Sequence, residues 1–237
     1  KMLNNLKVKI YADGANYKEI KNLDNNRLVS GFTTNPTLLK NNGINNYKNF
    51  AKKVLKKIRT KPISFEVIAD KLSIMEEQAF EINSWGKNVY VKIPVTNTKG
   101  EFCGPILRNL SKEKVKLNVT AIFTDKQVNN VLNALDPKVH SCISVFAGRI
   151  ADTGTNPINI MKRTLKKIKK NNCDLIWASP REVLNIVEAN KIGCDIITVT
   201  PDLLSKFIKN YKKDLNKFSI ETVKMFYNDA KKSKLQI

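Results

Sequence analysis

Residues 88–97, "NVYVKIPVTN", set Lys92 inside a run of Val89, Tyr90, Val91, Ile93, Pro94 and Val95 that suits a strand bound for a protein interior. Lysine is rarely buried unless it is paired or chemically employed. Burial disfavours the charged ammonium and lowers its pKa. A neutral amine attacks a ketone and forms a Schiff base. The protonated imine then draws electrons, so a carbon–carbon bond β to it can break. Asp13 and Glu66, each near the end of another apolar run, supply carboxylates that can move the protons.

Further polar residues fall at the ends of the remaining apolar runs. Thr34 and Asn35 sit in "TTNPT", Asn118 and Thr120 in "VKLNVTAIF", and Ser144 and Phe146 in "VHSCISVFA" with Arg149 after them. Ser179 and Arg181 follow "CDLIWA", and Thr198 and Thr200 close "CDIITVT". Strand alternation puts Asn118 with Thr120 on one face, and Ser144 with Phe146 on one face. Two guanidiniums offer forked donors to a dianion, and Ser179 is expected beside the start of a helix opened by Pro180 and Arg181. Each residue also has a purely structural reading. Asp13 suits a helix cap, Glu66 an ion pair with Lys92, Arg149 a loop tie, and Phe146 and Trp177 core packing. A serine–histidine–acid arrangement would rest on His140, the single histidine, at the start of a strand.

These positions need a scaffold that gathers strand ends. Eight β-branched-rich runs alternate with segments of helical spacing. In "YKNFAKKVLKKI", for example, Phe50, Val54, Leu55 and Ile58 share a face opposite lysines. Eight strand–helix units predict a single (β/α)8 barrel over residues 1–237, with chemistry at the C-terminal strand ends. An open doubly wound sheet is the competing arrangement. "SIETVKMFYNDAKKS" predicts an extra C-terminal helix capped by Ser219. Its stripe of Ile220, Val223, Phe226 and Tyr227 is expected to cover either the chain's own barrel mouth or a second copy, and a homo-oligomer is expected.

Composition narrows the classes. Hydrophobic residues make up 42% of the 237, enough for a sizeable core. The net charge is +21, but the lysines are spread along the chain, and no nucleic-acid-binding motif accompanies them. The positive field would instead draw anionic metabolites such as sugar phosphates. The four cysteines form no C-x-x-C pair, which argues against a zinc site and fits free thiols in the cytoplasm. No metal or other cofactor is expected. No apolar run reaches membrane-spanning length, and "KMLNNLKVKI" lacks the apolar core of a secretory signal.

Taken together, "YADGANYKEI", "GFTTNPTLL", "FEVIA", "VYVKIPVT", "LNVTAIFT", "ISVFAGRIAD" and "WASPREVLNIVEANKIGCDIITVTPDLL" resemble the transaldolase family. The match is to its compact short-chain form, which also contains fructose-6-phosphate aldolases. The resemblance spans essentially the whole chain. It implies Lys92 as the Schiff-base lysine, Asp13 as the acid/base, Glu66 acting through a water, and Thr120 beside the lysine. It implies Thr34, Asn35, Asn118, Ser144 and Phe146 around the dihydroxyacetone unit, and Arg149, Ser179 and Arg181 around the phosphate. It also implies sugar-phosphate substrates of the pentose phosphate pathway and an oligomeric assembly. Within the family, transaldolases typically carry Glu, Asn and Phe where this chain has Glu66, Asn118 and Phe146. The aldolases typically carry Gln, an apolar residue and Tyr. The chain departs from the family at Gly14, usually Thr, and at Pro180, often Phe.

Overall fold

The structure is a computed structural model and describes residues 6–234. Eight strands run in chain order: β1 (Lys9–Asp13), β2 (Val29–Thr33), β3 (Ile63–Glu66), β4 (Val89–Pro94), β5 (Leu117–Ile122), β6 (Ser141–Val145), β7 (Cys173–Trp177) and β8 (Ile196–Val199). Each pairs in parallel with its sequence neighbours, and β8 closes on β1, with Ile10 opposite Ile197. The barrel expected from eight strand–helix units is therefore the fold, and the open sheet is not.

The intervening helices are α1 (Tyr17–Asp24), α2 (Pro36–Asn41), α3 (Tyr47–Lys57), α4 (Leu72–Asn83), α5 (Gly104–Lys112), α6 (Asp125–Ala134), α7 (Ala147–Asp152), α8 (Ile158–Ile168), α9 (Val183–Ile192), α10 (Pro201–Asn210) and α11 (Leu215–Lys232). Local chemistry starts several of them. Asn35 accepts from Leu38 N with Pro36 in the first turn of α2, and Thr124 and Gln127 form a reciprocal capping box at α6. In α3, Phe50, Ala51 and Val54 turn inward.

Most of the core lies between strands and helices, where Val91, Ile93, Val119 and Val145 are completely buried. The barrel interior is divided. Its lower half holds a small apolar plug of Tyr11, Cys142, Ile176 and Ile196, with Tyr90 packed against it. Gly31 makes room for that plug, because a Cβ there would lie 2.5 Å from the Tyr11 ring. Tyr90 Oη and His140 Nδ1 are hydrogen-bonded at 2.7 Å, and His140 Nε2 lies 3.6 Å from Asp174. His140 thus belongs to the floor, away from the strand ends that carry Lys92 and Asp13. Polar side chains fill the upper half.

Two helix starts differ from the sequence expectation. α9 begins at Val183 behind Glu182, which caps it together with Asn185, so Pro180 and Arg181 lie in the loop before it. The Asn185 side chain accepts from Arg181 N and Glu182 N, which settles the helix start later than the proline suggests. α11 begins at Leu215, capped by Asp214 through Lys217 N, and Ser219 lies within its second turn. No residue of α11 is buried, and Ile220, Val223, Phe226 and Tyr227 are each more than half exposed. No described helix is long and apolar enough to cross a membrane.

Candidate active site

Lys92 is buried on β4, at 6% exposure, and its Nζ donates to Thr34 O at 3.1 Å. The same Nζ lies 3.2 Å from Glu66 Oε2. Strand register brings this about: Glu66 at the end of β3 sits opposite Lys92, which sits opposite Asn118 on β5. Asp13 ends β1 and accepts from Thr33 Oγ1 at 2.8 Å, while the Thr33 hydroxyl also bonds Thr198. Burial pushes the Asp13 and Glu66 carboxyls above the usual carboxylate range, and the Lys92 ammonium opposes the push on both. The mouth therefore holds one amine and two carboxyls that take up protons more readily than they would in water.

A chain of hydrogen bonds crosses the barrel beside them. Ser144 Oγ donates to Asn118 Oδ1 at 2.7 Å, and Asn118 Nδ2 donates to Ser64 Oγ at 3.0 Å. Asn118, Thr120 and Ser144 are all buried. The Thr34 and Thr120 hydroxyls, also buried, have no hydrogen-bond partner among the described residues. Such hydroxyls are normally paired. Ala121, next to Thr120, has φ 58°, and the β5–β6 register shifts between Val119 and Ile122. A non-glycine residue in the left-handed region stores strain of roughly 1–3 kcal/mol, and such strain gathers at functional sites.

The remaining expected residues are placed less uniformly. Asn35 spends its Oδ1 on the α2 cap, accepting from Leu38 N. Phe146 caps α7, stacks tilted on Phe123 at 5.7 Å, and lies 5.9 Å beneath the Arg149 guanidinium. Arg149 is exposed. Arg181 is not a free fork: its Nε donates to Asp152 Oδ1 at 3.1 Å and its Nη2 to the other oxygen. Arg181 in turn holds the Asp152 carboxyl below the usual range. Ser179 adopts φ 56°. Trp177 is completely buried, as packing predicts.

Residues missing from the sequence reading of the site have structural reasons to matter. Ser64 shares the inward face of β3 with Glu66, two residues on, so strand alternation alone could have found it. Thr33 reaches Asp13 across the β1–β2 register, Asp13 opposite Thr33. Gly148 lets α7 approach the loop after β7: its N donates to Ala178 O at 3.3 Å, and a Cβ there would fall 1.4 Å from Ser179 O.

A closed parallel barrel with a buried lysine–carboxylate cluster at the C-terminal strand ends has the architecture of a (β/α)8-barrel enzyme. A family model described as Transaldolase/Fructose-6-phosphate aldolase matches residues 10–237. The chain is 32% identical to a probable transaldolase of Nitrosopumilus maritimus, over 97% of both proteins. It is 34% identical to a probable transaldolase of Thermoplasma volcanium, over 95% of this chain and 96% of the other. The crystal structure of KGPDC from Streptococcus mutans superposes with a TM-score of 0.55 at 10% identity, over 82% of this chain and 88% of that one. That last likeness speaks for the fold alone. The chain belongs to the transaldolase/fructose-6-phosphate aldolase family, and is an enzyme of sugar-phosphate metabolism.

Proposed function

We propose that the protein is a transaldolase that moves a dihydroxyacetone unit between sugar phosphates through a Schiff base on Lys92. The observation that carries this reading is the buried Lys92 amine held 3.2 Å from a carboxyl whose proton affinity burial has raised. Glu66 can take the Nζ proton across that distance, freeing the lone pair. Nζ then attacks C2 of the ketose, forming the C–N bond while the carbonyl electrons move to oxygen. Loss of water, with protons passing through Glu66, gives the protonated imine. Asp13 takes the C4 hydroxyl proton, the C3–C4 bond breaks towards the imine nitrogen, and an aldose phosphate leaves. The enamine left on Lys92 attacks an acceptor aldehyde, Asp13 returns the proton, and water releases the new ketose phosphate.

The surroundings suit this sequence. Ser144, Asn118 and the amide of Asn35 would hold the hydroxyls of the three-carbon unit, with the Thr34 and Thr120 hydroxyls beside them. Arg149, Ser179 and Arg181 form the phosphate end, where the Arg181 guanidinium would turn from Asp152 to the incoming dianion. Arg149→Ala and Arg181→Ala should each raise KM for phosphorylated substrate about tenfold to a hundredfold, the scale of a hydrogen bond to a charged group. Equal losses with an unphosphorylated ketose would remove the two arginines from this role. The exposed stripe on α11 suits a contact between copies of the chain, and four free cysteines suit a reducing cytoplasm.

Transfer is favoured over hydrolysis because Phe146, unlike a tyrosine, has no hydroxyl to help protonate the enamine. With fructose 6-phosphate alone, little free dihydroxyacetone should form. Adding erythrose 4-phosphate should start rapid production of sedoheptulose 7-phosphate. Release of dihydroxyacetone without acceptor, at a rate matching transfer, would make the enzyme an aldolase.

A further inference from the structure

We propose that Tyr47 is a positioning residue that fixes Glu66 against Lys92 by replacing the strand partner that β3 loses at its catalytic end. β2 and β3 pair only at Phe32–Ile63 and Thr33–Ser64. One more bond follows, Thr34 N to Ser64 O at 3.2 Å, and then Asn35 turns the chain into α2. On the other edge of β3, Val67 N donates to Lys92 O at 3.0 Å. Backbone groups alternate between the two edges of a strand, so the N–H and C=O of Glu66 both face the side that β2 has left. Backbone groups stranded in a half-buried setting are costly.

The Tyr47 hydroxyl meets both. It accepts from Glu66 N at 2.8 Å and donates to Glu66 O at 3.1 Å. Its own position is tightly set. Tyr47 is the first residue of α3, directly after the Asn46 cap, and its ring sits edge-on to Phe65 at 6.1 Å and to Trp85 at 5.5 Å. Trp85 is tied in turn by Nε1 to Glu81 Oε1 at 2.9 Å. Burial pushes the Tyr47 phenol far above neutrality, so it stays protonated and able to donate while it accepts. A helix start and an aromatic cluster thus hold the backbone of the residue whose carboxyl faces Lys92.

This inference rests on the proposed role of Glu66 in forming the imine. The test compares Tyr47→Phe, Glu66→Gln and the double variant by single-turnover borohydride trapping with fructose 6-phosphate. Phenylalanine keeps the ring packing and removes only the hydroxyl. Tyr47→Phe should slow imine formation about tenfold, the scale of a lost hydrogen bond that also misplaces a reacting group, with KM little changed. Glu66→Gln should slow it more. In the Glu66→Gln background, Tyr47→Phe should cost less than about twofold, because residues acting in series are not additive. A normal rate for Tyr47→Phe, or an equal loss in both backgrounds, overturns the positioning role while leaving Glu66 in place. A normal rate for Glu66→Gln removes the role of Glu66 itself, and that of Tyr47 with it.

Discussion

Lys92→Ala should lose turnover by a factor on the order of 10⁵, the scale of advantage that a well-placed internal nucleophile holds over one in solution. No other described lysine is placed to replace it. Lys92 is the only lysine that is buried among the described residues, and it alone pairs with Glu66. The loss should exceed that from any variant of Asp13 or Glu66, since those move protons that water can also carry. The barrel should stay folded, because the alanine removes an ammonium without opening the apolar plug below. Without that ammonium, burial is less opposed on Asp13, where only the Thr33 hydroxyl still counters it, and on Glu66, so both carboxyls should rise further and hold their protons to higher pH. Transfer assays with near-ultraviolet circular dichroism check both parts. A folded Lys92→Ala protein with ordinary turnover would remove the imine from the mechanism.

Gly148→Ala should be the most damaging substitution where α7 meets the loop after β7, the proposed phosphate end. The new Cβ would fall 1.4 Å from Ser179 O, a backbone atom that no rotamer change can move aside. α7 and the loop after β7 must separate, breaking the Gly148 N to Ala178 O bond. Overpacking of this kind costs roughly 1–3 kcal/mol, read as a lowered thermal midpoint. Because Arg149 lies on α7 and Ser179 on the displaced loop, KM for phosphorylated ketose should rise as well. Stability and KM both at the unmodified level would mean that this contact is not structural.

The barrel was legible because each of its eight strands is a short β-branched run bounded by a helical period, and neither signal depends on distant residues. Lys92, Asp13 and Glu66 were legible because a charged side chain on an apolar strand contradicts its surroundings. The helix starts at Val183 and Leu215 were less so. Pro180 and Ser219 are sound local start signals, but Asn185 and Asp214 supplied the caps that fixed the actual starts. The engagement of Arg181 by Asp152 spans 29 residues and depends on how two loops meet, which no local pattern encodes. Tyr47 was invisible for a similar reason: an aromatic at a helix start reads as packing until β2 is seen to leave β3.

The most direct test of the account is borohydride reduction of the unmodified enzyme with fructose 6-phosphate, followed by intact mass and peptide mapping. The account predicts one adduct per chain, with the mass of a reduced three-carbon or six-carbon ketose unit, on the peptide that contains Lys92. It also predicts that adding erythrose 4-phosphate before the borohydride depletes the three-carbon adduct. No adduct, or an adduct on a different lysine, would contradict it.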